Sequence, residues 1–181
     1  MTTRITELDY AVLGLLCQVP RSGYDLRKIF ETMAIGSYSG SPGAIYPALR
    51  RLEQAGLVDG KVDTRRALRP KKIFRPTRDG RNALSEWLAR DITREDVERN
   101  LDELLLRFAF HWILDDAKAT RRFLETLLDE VECYLAELNR QLGLFPEGAP
   151  PHARLALAAG IEQYRACARW ARKALKEFEE E

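Results

Sequence analysis

SPGAIYPALRRLEQAGLVDGKVDTRRALRPKKIF, residues 41–74, decides the fold of this chain. Ser41 is a good helix N-cap, and Pro42 suits the first helical position, where a missing N–H is harmless. Ile45, Ala48, Leu49 and Leu52 recur at helical spacing, which predicts a helix over Ser41–Ala55 with one buried stripe. Gly56 is its natural stop. Pro47 opposes this reading, because it lies beyond the turn in which a missing N–H is free. The helix start is therefore expected to be distorted or to begin later. Leu57–Val62 and Lys71–Phe74 read as two strands joined by Asp63–Pro70. The tip holds Arg65, Arg66 and Arg69, with Lys71 and Lys72 just after.

Upstream, Leu8, Ala11, Val12, Leu15 and Leu16 share one face of a helix over Leu8–Cys17, which Pro20 closes. Arg21-Ser22-Gly23 reads as a turn, and Ser22 is placed to cap a second helix carrying Tyr24, Leu26, Arg27, Ile29, Phe30 and Met33. Downstream, Thr77 is placed to cap a helix running through Ala83, Leu84, Trp87 and Leu88. The order helix, helix, helix, hairpin, helix is that of a winged helix-turn-helix. In that arrangement the third helix enters a major groove and the hairpin lies beside the backbone.

After Asp91–Arg94 the character changes. Val97–Leu114, Ala119–Leu142 and His152–Glu181 read as helices with wide apolar sets, the last two separated by the loop Gly143–Pro151. The fold class is mainly α: an N-terminal winged helix-turn-helix domain with a two-stranded wing over 1–92, and a C-terminal helical dimerisation and candidate effector domain over 93–181. Long helices with broad apolar faces need partners beyond one another. A symmetric homodimer supplies them and presents two reading helices to a palindromic operator.

The charge is divided in the same way. The chain of 181 residues has net charge +1, yet residues 1–90 carry +7 and residues 91–181 carry −6. A basic module suits phosphate and an acidic one stays away from it. Apolar residues make up 45%, enough for a core and too many for a disordered chain. No run of 18 apolar residues is present and MTTRITELDY lacks the core of a secretory signal, so no membrane association and a cytoplasmic location are expected. Cys17, Cys133 and Cys167 lie far apart among apolar neighbours and read as buried free thiols, with a disulfide or redox switch as the alternative.

The candidate contacts to double-stranded DNA follow from this layout. Five cations, Arg65, Arg66, Arg69, Lys71 and Lys72, fall within eight positions with no acid after Asp63, which suits phosphate. Ser41 and the helix N-terminus offer free donors to phosphate. Tyr46 lies outside the buried stripe and suits phosphate or sugar. Arg50 and Arg51 reach either guanine or backbone, or form surface salt bridges near Glu53. Tyr24 opens the second helix as a half-buried turn residue or as one that bears on the backbone. Farther along, Arg107 and His111 are spaced i and i+4 in an apolar helix beside Phe108 and Trp112. These four are candidates for a small aromatic or hydrophobic effector; core and dimer packing are the competing roles. Enzyme chemistry, metal and cofactor find no motif: the phosphate loop, the dinucleotide fingerprint, the nucleophile elbow and zinc spacing are all missing.

The same residues carry a resemblance to the PadR family of transcriptional regulators. It begins at Leu13-Gly14-Leu15-Leu16 and passes through Pro20 and Gly23-Tyr24-Asp25-Leu26. It is strongest at Ser41-Pro42-Gly43-Ala44-Ile45-Tyr46-Pro47-Ala48-Leu49-Arg50-Arg51-Leu52-Glu53, and continues through Gly56-Leu57-Val58 to Thr77 and Gly80. The resemblance implies a homodimeric DNA-binding regulator, usually a repressor. It puts the recognition helix at the Tyr46 motif, including Gly43, and the wing at Arg65–Lys72. It also implies, for some members, release by small aromatic compounds such as phenolic acids. Two positions depart from the pattern. Ala44 replaces a small hydroxyl residue, and Phe74-Arg75-Pro76-Thr77 replaces Tyr-x-Leu-Thr, so Pro76 is expected to end the second wing strand early. The expectation is a cytoplasmic homodimeric repressor released by a small ligand. Its alternative is a winged-helix module for protein contacts without specific DNA binding.

Overall fold

The computed structural model describes residues 4–32, 42–63 and 70–178. Ser41, Arg65, Arg66 and Arg69 lie outside them. Helices α1 (Glu7–Gln18) and α2 (Gly23–Thr32) precede a 3-10 turn (Pro42–Ala44) and α3 (Ile45–Gln54). Strands β2 (Val58–Asp63) and β3 (Lys71–Pro76) lead into α4 (Arg78–Leu88). Then come α5 (Arg94–Arg99), α6 (Leu101–Ala109), a 3-10 turn (His111–Leu114), α7 (Ala117–Gly143) and α8 (Pro151–Glu177). The fold is mostly helical, with one small antiparallel sheet.

Pro47 finds its place because α3 begins late. With Ala44 as N-cap, Pro47 is the third helical residue, one of those whose N–H has no intrahelical partner. The preceding residues take the tighter 3-10 form instead. At the other end Gly56 has φ of 71°, the Gly56 N–H donates to the Glu53 carbonyl, and the Leu57 N–H donates to the Leu52 carbonyl. This is the glycine-terminated Schellman arrangement.

The sheet differs from expectation in two respects. Arg21–Ser22, read as a turn, forms a short strand β1, and the order is β1-β3-β2, so the sheet has three strands. Its register pairs Arg21 with Phe74 and Ser22 with Ile73. In addition, β3 does not stop before Pro76, which pairs with Val58. Proline is tolerated there because Pro76 lies past the two residues of β3 that β1 pairs, at the strand's end.

The described chain divides into two compact units: Met1–Arg90 with Leu105–Asp115, and Asp91–Leu104 with Asp116–Glu181. Leu105–Asp115 thus groups with the winged unit, whereas the sequence placed all of 93–181 in the helical half. The winged unit has one continuous core, built on Leu13, Leu16, Leu26, Ile45, Leu52 and Leu84, with Phe110 buried among them. Gly14 makes room for Phe110, since a Cβ there would lie 2.5 Å from the ring. Tyr10 stacks on Trp87 with centroids 4.6 Å apart. Each such leucine contributes about 2–3 kcal/mol by leaving water.

In the helical unit, α7 and α8 each have 27 residues and run about 40 Å. They are antiparallel: Arg172 bonds Glu132 while Arg165 bonds Asn139, so the pairing order reverses along the chain. The buried apolar positions of α7 include Phe123, Leu124, Leu127 and Val131, and those of α8 are Ile161, Cys167, Ala168 and Ala171, among which the two alanines permit close approach. The apolar run Val97–Leu114, read as one helix, is broken at Asn100, whose backbone leaves helical geometry and caps α5. Arg94 ties α5 to α7: it donates to the Glu130 carbonyl at 3.1 Å and lies over the Tyr134 ring.

Candidate nucleic-acid interface

One turn of α3 separates its two jobs. Ile45, Ala48, Leu49 and Leu52 point into the core. Tyr46 is 47% exposed and Arg50 is also exposed, one turn apart on the opposite side. Both line a cleft of about 360 Å³ whose other walls include Tyr24, Lys71, Lys72 and Phe74. The cleft has an aromatic and aliphatic floor and a cationic rim, suited to sugar and base faces below and phosphate above. Gly23 keeps it open, because a Cβ at that position would sit 2.7 Å from the Tyr46 ring. Gly43 is exposed in the 3-10 turn ahead of α3.

Arg51 is the correction. Its neighbour faces solvent, but Arg51 turns back onto α1. There Nε donates to Asp9 Oδ2 at 3.1 Å and Nη2 to Asp9 Oδ1 at 2.8 Å. Asp9 is fully buried and also accepts from the Thr6 backbone N–H and Thr6 Oγ1. One carboxylate thus caps α1 and pins α3 against it. A side chain held in a two-pronged pair with a buried acid is a structural strut, and that is the role the structure gives Arg51.

Around the cleft, charges are partly matched. Lys72 Nζ lies 2.6 Å from Glu53 Oε1 and 5.1 Å from the Phe74 ring centroid. In the sequence Glu53 is only a neighbour of the arginines. Its opposition to Lys72, 19 residues on, is set by the hairpin and has no local signal. Lys71 sits 5.8 Å from the centroid of the exposed Tyr24 ring. Asp25 accepts from Ser22 Oγ at 2.7 Å. That bond is the chief reason its carboxyl titrates below the ordinary value, with the Lys71 and Arg21 charges adding to it.

The base of the wing is built to be stiff. Thr77 Oγ1 donates to the Gly56 carbonyl and accepts from the Gly80 N–H, so one hydroxyl joins the end of α3 to the start of α4. Gly80 allows this closeness, since a Cβ there would lie 2.0 Å from the Leu57 carbonyl oxygen. Any substrate of α3 therefore meets a helix and hairpin of fixed relative pose.

The four effector candidates differ in exposure. Arg107 is 1% exposed and donates to the Leu88 carbonyl at 3.2 Å and to the Arg90 carbonyl. His111 is buried, Phe108 half-buried and Trp112 exposed. The i, i+4 argument fails because α6 ends at Ala109, and His111 belongs to the 3-10 turn that follows. Arg107 and His111 are interior residues of the winged unit, and none of the four lines the cleft described above. The thiols also differ from expectation: Cys167 is buried, Cys17 half-buried and Cys133 exposed. Among the described residues, no group of His, Cys, Asp and Glu is arranged to hold a metal, and no helix is long and apolar enough to cross a membrane.

Parts of the chain are similar to known proteins. Residues 12–86 match the transcriptional regulator PadR-like family, and residues 102–179 match the virulence activator alpha C-terminal family. The negative transcriptional regulator PadR of Bacillus subtilis (strain 168) is 29% identical over 120 residues, 66% of this chain and 65% of that protein. The transcriptional regulator YqjI of Escherichia coli (strain K12) is 34% identical over 92 residues, 51% of this chain and 40% of that one. The chain thus spans less than two thirds of the length of either relative. Among solved structures, Bacillus subtilis PadR in complex with operator DNA superposes with a TM-score of 0.44 at 23% identity, over 94% of this chain and 98% of that one.

Proposed function

We propose, from the premise that this chain carries a PadR-like family domain over residues 12–86, that it is a homodimeric transcriptional regulator which binds a palindromic operator and represses. The domain is that of transcriptional regulators and not of an enzyme. The observation that carries the reading is the division of labour on α3. Arg51 is spent inside the fold, while Tyr46 and Arg50 stand one turn apart on the open face beside Lys71. Arg50 offers guanine a two-pronged donor, and Tyr46 offers a hydroxyl to phosphate. The wing supplies Lys71 and Lys72 to the flanking backbone.

Dimerisation is supported by the helical unit. Residues 151–160 of α8 contain no buried side chain, and Leu155 is 55% exposed. A second copy would cover that stretch. Repression is favoured by the name of the Bacillus subtilis relative, a negative regulator. Release by a small aromatic or hydrophobic ligand belongs to the same reading, although Arg107 and His111 have interior roles instead. A cytoplasmic location goes with this function.

Fluorescence anisotropy of the full chain with labelled duplexes tests the reading. The affinity is expected to fall steeply as salt rises, as counterion release requires. Arg50→Ala is expected to weaken binding to a selected operator about tenfold, within the range of one bidentate base contact. Indifference to every duplex at low salt would instead support a protein-contact module.

A further inference from the structure

Arg27 belongs to no motif in the chain, yet it shares its surroundings with two residues of the cleft. Its guanidinium carbon lies 5.7 Å from the centroid of the Tyr24 ring, and Lys71 Nζ lies 5.8 Å from the same centroid. The two cations come from different elements, α2 and β3. The pairing of Ser22 with Ile73 brings them together, because β1 runs directly into the first turn of α2. Tyr24, which both approach, is 52% exposed.

Two positive groups converging on one aromatic ring repel each other, and the ring's negative face offsets this only in part. Acids stand nearby as well, Asp63 lying opposite Lys71 in the register of β2 with β3. The Asp25 carboxylate is occupied by the Ser22 hydroxyl and N–H. Glu31 meets Arg27 at 3.4 Å, but both partners are more than 40% exposed, and such pairs are weak. An anion with several oxygens satisfies both cations at once and displaces Glu31 readily. Tyr24 adds a hydroxyl to the same site.

We propose that Tyr24, Arg27 and Lys71 form a clamp for one backbone phosphodiester of the duplex, beside the groove that α3 enters. This rests on the DNA-binding reading above and adds Arg27 as a positioning contact. A clamp of this kind sets the depth and tilt of α3 without reading sequence. Its energy is therefore the same on cognate and non-cognate duplexes.

The test uses the full chain and its selected operator. Arg27→Ala is compared with Arg99→Ala, which removes the same charge from an equally simple i, i+4 pair with Glu95 in the helical unit. Arg27→Ala is expected to lower affinity several-fold and equally on operator and random duplex. The slope of log K against log salt becomes shallower by about 0.9, one phosphate's worth. Arg99→Ala leaves the slope unchanged. Replacing phosphates one at a time by neutral methylphosphonates locates the contact: at one position per half-site, Arg27→Ala costs nothing further. Tyr24→Phe keeps the ring and is expected to lose less than Tyr24→Ala. An unchanged slope, or no phosphate that couples to Arg27, overturns the clamp while wild-type binding leaves the functional reading intact. Failure of the wild type to bind any duplex overturns both. A thermal melt of each variant separates loss of contact from loss of fold.

Discussion

The winged unit and the helical unit solve the problem of burial differently. In the winged unit even charged groups are drawn inside and given partners. Asp9 is buried under Arg51 and Thr6, and Arg107 is buried against the carbonyls of Leu88 and Arg90. The helical unit rests on two 27-residue helices with a narrow seam, and the first turns of α8 bury nothing. The first is finished by its own residues and carries the positive charge; the second carries negative charge and an unfinished apolar surface. On the proposed function, the unit that meets DNA needs a fixed pose, and the unit that would pair with a second copy needs a surface to share.

Arg51→Ala gives the largest expected effect. It leaves a buried carboxylate without its partner and is expected to cost the winged unit about 3 kcal/mol, because breaking a buried pair strands a charge. Arg50→Ala, one residue away, is expected to change stability by less than about 0.5 kcal/mol, as surface substitutions do. Urea unfolding of the two variants measures the contrast; equal losses would erase the distinction between strut and reader. Gly80→Ala comes next. The new methyl collides with the Leu57 carbonyl, and overpacking of this kind costs about 2 kcal/mol. It is expected to loosen the wing root and weaken DNA binding beyond what the lost stability explains, which anisotropy at a temperature well below the melt would reveal.

On the other side of the comparison, Leu155→Asp is expected to weaken self-association about tenfold, or about 1.4 kcal/mol, with the winged unit's core unaffected. Sedimentation equilibrium checks this; a wild type that is monomeric at every concentration would show that the exposed turns of α8 need no second copy. The smallest effect at neutral pH concerns Cys167, whose thiol burial pushes up to about 11. Between the ordinary thiol value and that point, the unfolded chain ionises while the folded chain does not. Stability is therefore complete below about pH 8.5 and is lost as pH rises toward 11. Cys167→Ala is expected to flatten that fall in melts taken from pH 8 to 11; an identical fall in both proteins would assign it to other groups.

Local patterns made most of the winged unit legible. The stripe of α3, the stop at Gly56 and the cap at Thr77 are each written within a few residues, and all three stand in the structure. What was hidden depended on distance in sequence. Arg50 and Arg51 have the same chemistry, and only Asp9, 42 residues upstream, decides which one turns inward. β1 is two residues long, too short to carry an alternation, and exists only because β3 is there to pair with it. The break at Asn100 is invisible to periodicity, since apolar residues continue on both sides of it. Arg107 and His111 looked like ligand groups because polar residues stand out in an apolar helix. Backbone carbonyls at the end of α4 give Arg107 an interior role that side-chain spacing does not reveal.

Selection of bound duplexes from a random pool tests the central claim most directly: that α3 and the wing hairpin, held in one pose, meet duplex DNA in two copies. The account predicts enrichment of an inverted repeat whose half-sites are centred about 10 base pairs, or a multiple of that, apart. It also predicts that Arg50→Ala relaxes one position in each half. A pool that returns unenriched, or a single asymmetric site indifferent to Arg50, would contradict it.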